Sequence, residues 1–127
     1  MSLARRRILL VEDDSLLREA FRLLLEEVGY EVLEAGTAAE ALRSIAERAP
    51  ALVLLDLGLP DRPGLDVARA LRRNPETRDT PVFALTGRVG ADERRACLEA
   101  GCSAYVAKPV EPRALLRRID ETLGQGA

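Results

Sequence analysis

The residues of this chain best suited to chemistry are Glu12, Asp13, Asp56, Thr86 and Lys108, and each stands at the end of a short aliphatic run. Ile8-Leu9-Leu10-Val11 leads into Glu12-Asp13-Asp14, and Leu52-Val53-Leu54-Leu55 leads into Asp56. Val82 to Leu85 leads into Thr86-Gly87, and Ala104 to Ala107 into Lys108-Pro109. A continuous apolar run bounded by turn residues is the pattern of a strand buried on both faces. An ionised group inside such a strand needs a partner or a metal. At the carboxyl end the strand opens into the crevice where open α/β sheets hold ligands. Asp56, followed by Gly58, Pro60, Pro63 and Gly64, is therefore read as the chemical centre. Carboxylates ~5 Å apart at an effective dielectric of ~20 cost about 3 kcal/mol per pair, so something positive must offset them. A few oxygen donors with positions left open point to Mg2+ rather than a caged Ca2+. Lys108 brings a second positive charge and Thr86 a hydroxyl donor. A carboxylate nucleophile, a hard cation, a lysine and a hydroxyl together make a phosphoryl-transfer site.

Composition narrows the alternatives. The 127 residues contain no histidine, which excludes a Ser-His-Asp triad, a His-ligated metal and a phospho-accepting histidine on this chain. Cys97 and Cys102 match neither a CxxC pair nor a zinc spacing, and are expected to be reduced packing thiols. A net charge of −2, with 47% hydrophobic and 31% charged residues, describes an ordinary globular domain with no electrostatic case for nucleic acid or an anionic membrane. The arginines are interleaved with acids and read as solvated helix faces. No apolar run approaches the ~20 residues that span a bilayer. Arg5-Arg6-Arg7 leads directly into a strand with no signal peptide, so the expected location is cytoplasmic. Neither GxGxxG nor GxxxxGK[ST] is present, which removes the common nucleotide-binding loops.

The elements that must position these residues follow from periodicity. Strands are expected at Ile8–Val11, Glu31–Ala35, Leu52–Asp56, Val82–Leu85 and Ala104–Ala107. The first helix starts at a cap on Asp14 or Ser15, buries Leu17, Phe21, Leu24 and Val28, and ends at Gly29. Thr37-Ala38-Ala39-Glu40 has the form of a capping box for a second helix whose inner face is Ala41, Leu42 and Ile45, stopped by Pro50. A third helix covers Leu65–Arg73 up to Asn74-Pro75, and a fourth covers Ala91–Ala100 up to Gly101. Pro112 opens a fifth that buries Leu115, Leu116, Ile119 and Leu123, and the tail from Gly124 is expected to fray. Strict alternation with short connections implies a parallel sheet with right-handed crossovers, a doubly wound α/β domain. All strand ends with reactive side chains then share one rim.

These pieces resemble the receiver domains of bacterial two-component response regulators. The resemblance is carried by Ile8-Leu9-Leu10-Val11-Glu12-Asp13-Asp14, Leu54-Leu55-Asp56, Leu59-Pro60 with Gly64, Ala84-Leu85-Thr86-Gly87 and Tyr105-Val106-Ala107-Lys108-Pro109. Any one is weak, but all of them in this order and spacing are specific, and they span nearly the whole chain. The resemblance implies a flavodoxin-like sheet of order 2-1-3-4-5, as in a chemotaxis receiver, with five helices on two faces. It implies a single receiver domain over 1–127 with its core at about 6–123. Asp56 would attack the phosphorus of a phosphohistidine on a sensor histidine kinase or phosphotransfer protein and become an acyl phosphate. Asp13 and Asp56 would bind Mg2+ directly, with Mn2+ as a substitute, Glu12 through water, and the Gly58 backbone carbonyl as a further ligand. Lys108 and Thr86 would hold the phosphoryl oxygens, and the Lys108-Pro109 bond would be cis. Thr86 moving toward the phosphoryl group, with Tyr105 turning inward, would remodel the surface of the fourth helix, fifth strand and fifth helix for a downstream effector. Such a domain promotes its own phosphorylation and dephosphorylation rather than turning over a substrate.

Departures from the family pattern matter too. Gly87 replaces the commoner alanine after the threonine, and Gly58 leaves water freer access to Asp56. Receivers of the winged-helix transcription-factor branch pair through charges on that same surface. Ser103, Ala104 and Ala114 stand where acids would be expected, which argues against that pairing. A stand-alone receiver, or one excised from a larger protein, fits better. The competing readings are a phosphorylation-independent pseudo-receiver and a Mg2+-dependent aspartyl-phosphate phosphatase. The intact acids, Thr86 and Lys108 count against the first. Gly58, where those enzymes typically carry a second aspartate, counts against the other.

Overall fold

Aliphatic runs too apolar to face water form the middle of the molecule, and amphipathic helices cover them on both sides. The computed structural model describes residues 6–88 and 90–124; Gly124, expected to begin the frayed tail, instead closes the last helix with its N–H on the Asp120 carbonyl, and the rest of that tail lies outside the described residues. The elements are β1 (Arg7–Val11), α1 (Ser15–Val28), β2 (Glu31–Ala35), α2 (Ala38–Glu47), β3 (Leu52–Asp56), α3 (Leu65–Arg73), β4 (Val82–Thr86), α4 (Ala91–Ala100), β5 (Ala104–Ala107) and α5 (Pro112–Leu123). The strands form one parallel five-stranded sheet in the order β2-β1-β3-β4-β5. Every residue of β3 and β4 is buried. The flavodoxin-like order expected from the resemblance is the one observed.

Because side chains alternate across a strand, the sheet serves two cores. Leu9, Val11, Val53, Leu55 and Ala84 face α2, α3 and α4, where they meet Ala41, Ile45, Val67, Leu71 and Cys97. Ile8, Leu10, Leu52, Leu54 and Phe83 face α1 and α5, against Phe21, Leu25, Leu115, Ile119 and Leu123. Truncating any of the central leucines to alanine would cost about 2–5 kcal/mol.

Local chemistry sets most helix ends as expected. Asp14, not Ser15, caps α1, accepting the N–H groups of Leu16 and Leu17 at 3.1 and 3.2 Å. Gly29 closes α1 with φ 117°, a conformation that costs a residue with Cβ. Thr37 accepts the Glu40 N–H at 3.0 Å, while Glu40 reaches back to the N–H of Gly36 rather than of Thr37. The buried face of α1 differs from expectation. Phe21 and Leu25 are buried, whereas Leu17 and Val28 are exposed and Leu24 is half-buried. Leucines at 16, 17, 23, 24 and 25 offer overlapping stripes. The choice falls to tertiary contact: Arg18 bonds the Glu12 carbonyl at 2.7 Å and turns its side of the helix toward β1. No helix among the described residues is long and apolar enough to cross a membrane.

Candidate functional site

Four strand ends bring their polar residues to one rim, as parallel pairing requires. Val11 and Leu55 are register partners on β1 and β3, so Glu12 and Asp56 follow side by side. Asp56 pairs with Leu85, one residue before Thr86, and Thr86 pairs with Ala107, one residue before Lys108. Glu12, Asp13, Asp56, Gly58, Thr86 and Lys108 all line one open cleft of about 670 Å3 at this rim.

Glu12, Asp13 and Asp56 each present a carboxylate oxygen within 4.8 Å of the others. Glu12 and Asp56 are buried, and Asp13 stands exposed at the mouth. Lys108 Nζ donates to Asp56 Oδ1 at 2.9 Å and lies 3.8 Å from Glu12 Oε1. The Gly58 N–H also donates to Asp56 Oδ1, at 3.1 Å. Glu12 Oε2 accepts the Asp14 N–H at 3.2 Å, but its buried Oε1 has no hydrogen-bond donor among the described residues.

Charge in the cleft is unevenly tolerated. Burial pushes the Glu12 carboxyl up to about 7, reinforced by Asp56 and opposed by the Asp14 N–H and Lys108. Burial pushes Asp56 the same way, yet the hydrogen bond from Lys108, the neighbouring Glu12 carboxyl and the Gly58 N–H outweigh it and hold Asp56 below the usual carboxylate range. Burial would lower the Lys108 ammonium, but the hydrogen bond and charge of Asp56, then the charges of Glu12 and Asp13, raise it. Asp56 is therefore an ionised carboxylate beside a protonated lysine at neutral pH.

The backbone beneath these groups is pinned. The Glu12 N–H donates to the Ala35 carbonyl at 2.9 Å, and the Glu12 carbonyl takes the Arg18 guanidinium at 2.7 Å. Gly64 returns the loop onto β3: a Cβ there would lie 2.7 Å from Leu57 Cα and 2.9 Å from the Asp56 carbonyl oxygen. Asp61, in the same loop, accepts the N–H groups of Ala38 and Ala39 and so fastens the loop to the start of α2.

Thr86 is buried at the cleft wall, its Oγ1 accepting the Arg88 N–H at 3.0 Å. Tyr105 is not a wall residue of the cleft. Half-buried on the α4 side, its hydroxyl donates to the Arg88 carbonyl. The Lys108-Pro109 bond is cis, as the resemblance implied. Cys97 and Cys102 are free and buried, and neither lines the cleft. Sequence reasoning missed Arg18 and Asp61: each acts on a backbone that only the fold brings near, and neither spacing carries a signal. Gly64 did stand out as a turn residue, but its close approach to Asp56 did not.

A family model described as the response regulator receiver domain matches residues 8–120. The phosphate regulon transcriptional regulatory protein PhoB of Pseudomonas aeruginosa is 40% identical over 91% of this chain and 51% of its own length, so the chain spans about half of that relative. The crystal structure of a CheY-like response regulator receiver domain protein from Methanospirillum hungatei superposes with a TM-score of 0.89 at 34% identity, covering 96% of each chain. The receiver domain of the sensor histidine kinase PA1611 from Pseudomonas aeruginosa, solved with a magnesium ion coordinated in its active site cleft, has a TM-score of 0.86 at 31% identity over 95% of this chain and 99% of its own. Strand order, rim chemistry and sequence agree: the chain belongs to the response regulator receiver domains of two-component systems.

Proposed function

We propose that Asp56 is the phosphoacceptor of this receiver and takes its phosphoryl group from a phosphohistidine on a sensor histidine kinase or phosphotransfer protein. The observation that carries this reading is the ionised Asp56 carboxylate, bonded to Lys108 at 2.9 Å and within 4.8 Å of Glu12 and Asp13. An Asp56 carboxylate oxygen attacks phosphorus, the N–P bond breaks, and the electron pair leaves with the donor imidazole, which is then protonated. Lys108 and the Thr86 hydroxyl hold the phosphoryl oxygens as charge shifts onto them. In the return step water attacks phosphorus and the Asp56 carboxylate leaves. Gly58 offers no side chain to hinder that water: a Cβ there would meet only Asp56 Oδ1, at 3.8 Å.

The cleft fits a hard divalent cation on its own chemistry. Its candidate donors are oxygens, and among the described residues the buried Glu12 Oε1 accepts no hydrogen bond, with Lys108 Nζ only at 3.8 Å. The like charges of Glu12 and Asp56 need an offset beyond Lys108. Asp13, Asp56 and the Gly58 carbonyl would hold Mg2+ directly and Glu12 through water, with Mn2+ as the substitute. When bound, such a cation neutralises charge on the transferring phosphoryl oxygens. Thr86 and Tyr105 both grip Arg88, one through its N–H and one through its carbonyl. Drawing Thr86 onto a phosphoryl oxygen would break the first bond and free the segment that Tyr105 holds. The surface of α4, β5 and α5 is the one we assign to the downstream effector.

Intact mass after incubation with Mg2+ and acetyl phosphate tests the reading. One phosphoryl adduct, labile to hydroxylamine and missing in Asp56→Ala, is the expected result. No adduct, together with no binding of beryllofluoride, would leave a phosphorylation-independent interaction module.

A further inference from the structure

We infer that the face made by α4, the edge strand β5 and α5 receives an acidic partner segment, its carboxylates set against Arg94, Arg95 and Arg118 and an apolar side chain against Leu98. The inference rests on the reading of this face as the output surface and adds the chemistry of what docks there. Ala91, Arg94, Arg95 and Leu98 recur at i, i+3, i+4 and i+7 and, with Tyr105, line an open groove of about 670 Å3. Leu98 is 65% exposed, and the other large exposed hydrophobics among the described residues all lie on α1.

Two guanidiniums flank the edge strand, one on each side of the sheet. Arg94 lies 5.8 Å from the ring centroid of Tyr105, which packs with the α2–α4 core. Arg118 lies 5.6 Å from that of Phe83, in the α1–α5 core. Among the described residues neither has a carboxylate within ion-pair distance. Stacking fixes a guanidinium and leaves its donors outward, so pairing costs little further ordering. Among the described residues Arg95 pairs only with Asp92, 3.9 Å away and fully exposed, a contact worth almost nothing.

Several of the nearby acids are occupied elsewhere or turned aside. Glu111 caps α5, Asp120 receives the Tyr30 hydroxyl, and Glu93 lines the phosphoacceptor cleft. At 3.6 residues per turn Asp92 and Glu99 fall about a quarter turn from the groove row. Ser103, Ala104 and Ala114 add no charge to answer an arginine. A second copy docked through this face on a two-fold axis would have to answer these arginines with acids of the same face, and Ser103, Ala104 and Ala114 supply none. An acidic protein segment answers both the charge and Leu98. A nucleic acid answers only the charge, and the chain's net charge of −2 opposes it.

The test is fluorescence anisotropy with a synthetic helix carrying leucines at i, i+3 and i+7 flanked by glutamates, its twin with lysine for each glutamate, and a short DNA duplex. Each is titrated with the full chain, with and without Mg2+ and beryllofluoride. The acidic helix should bind about tenfold tighter than its twin at low salt, an advantage that shrinks at ~0.5 M NaCl. Arg94→Glu with Arg118→Glu should lose about tenfold, and Leu98→Ser should weaken binding with the charges intact. Equal binding of the twin, an unaffected reversal variant, preference for the duplex, or a beryllofluoride-induced dimer in the ultracentrifuge broken by Arg94→Glu would each overturn the inference. The charge ranking without any response to beryllofluoride would uphold the acidic docking and reject phosphorylation control of this face. Failure of Asp56 as phosphoacceptor reads out separately, in the intact mass.

Discussion

Asp13 and Glu12 are neighbours in sequence with opposite surroundings, one exposed at the cleft mouth and one buried against Asp56. Removing the outer charge relieves the inner pair at little cost in packing. Asp13→Ala should therefore raise the metal-free melting temperature by a few degrees, read by circular dichroism in chelator. A clear fall would refute the account of mutual repulsion. Far from the cleft, burial pushes the Cys102 thiol up to about 12 from its ordinary 9.0, with the neighbouring Cys97 adding to it. Between those values the unfolded chain releases a proton that the folded chain keeps, so stability falls as pH rises above about 9. The loss should reach about 1–2 kcal/mol near pH 10, below the raised range of Lys108, and should shrink in Cys102→Ala, where the Cys97 thiol, also raised by burial, keeps a smaller part of it. Urea titrations at pH 8 and 10 compare the two chains.

Arg72 joins elements in a way its sequence position does not announce. From the last turn of α3 its Nε donates to the Gly101 carbonyl at 2.9 Å, and its Nη1 to those of Arg78 and Thr77 at 3.0 and 3.3 Å. It thereby holds the end of α4 and the loop before β4. Arg72→Ala should cost about 2 kcal/mol, seen as a lower urea midpoint with an unchanged slope, and Arg72→Lys should recover only part because a point donor cannot span three carbonyls. The interleaved charges suggested solvated arginines, and for Arg18 and Arg72 that expectation fails. Their partners are backbone carbonyls that come near only through tertiary packing. Strands and caps were legible because their causes are local. Aliphatic runs placed every strand to within a residue, β1 starting at Arg7 and β4 running through Thr86, and Asp14 and Gly29 marked the ends of α1. Which stripe of α1 faces inward was not legible, because its leucines allow more than one and the sheet decides.

Across the whole molecule, the rim where reactive side chains meet is a consequence of parallel pairing, which is why Glu12, Asp13, Asp56, Thr86 and Lys108 could be grouped before any distance was known. The resemblance supplied what alternation alone leaves open, the strand order that sets β1 beside β3. A ligand bound only by the assembled rim stabilises the entire fold. Mg2+ at about a hundred times its dissociation constant should add about 2.7 kcal/mol to the wild-type chain. Asp13→Ala should lose most of that increment, and a melting series over Mg2+ concentration measures both. Gly64 ties this rim to the mutational freedom of the chain. The space for its missing side chain is already filled by Leu57 and the carbonyl of Asp56. In a saturation library the exposed loop positions Pro60, Arg62 and Pro63 can drift, whereas position 64 should return glycine almost alone, because any larger residue is accommodated only by displacing the strand end that carries Asp56.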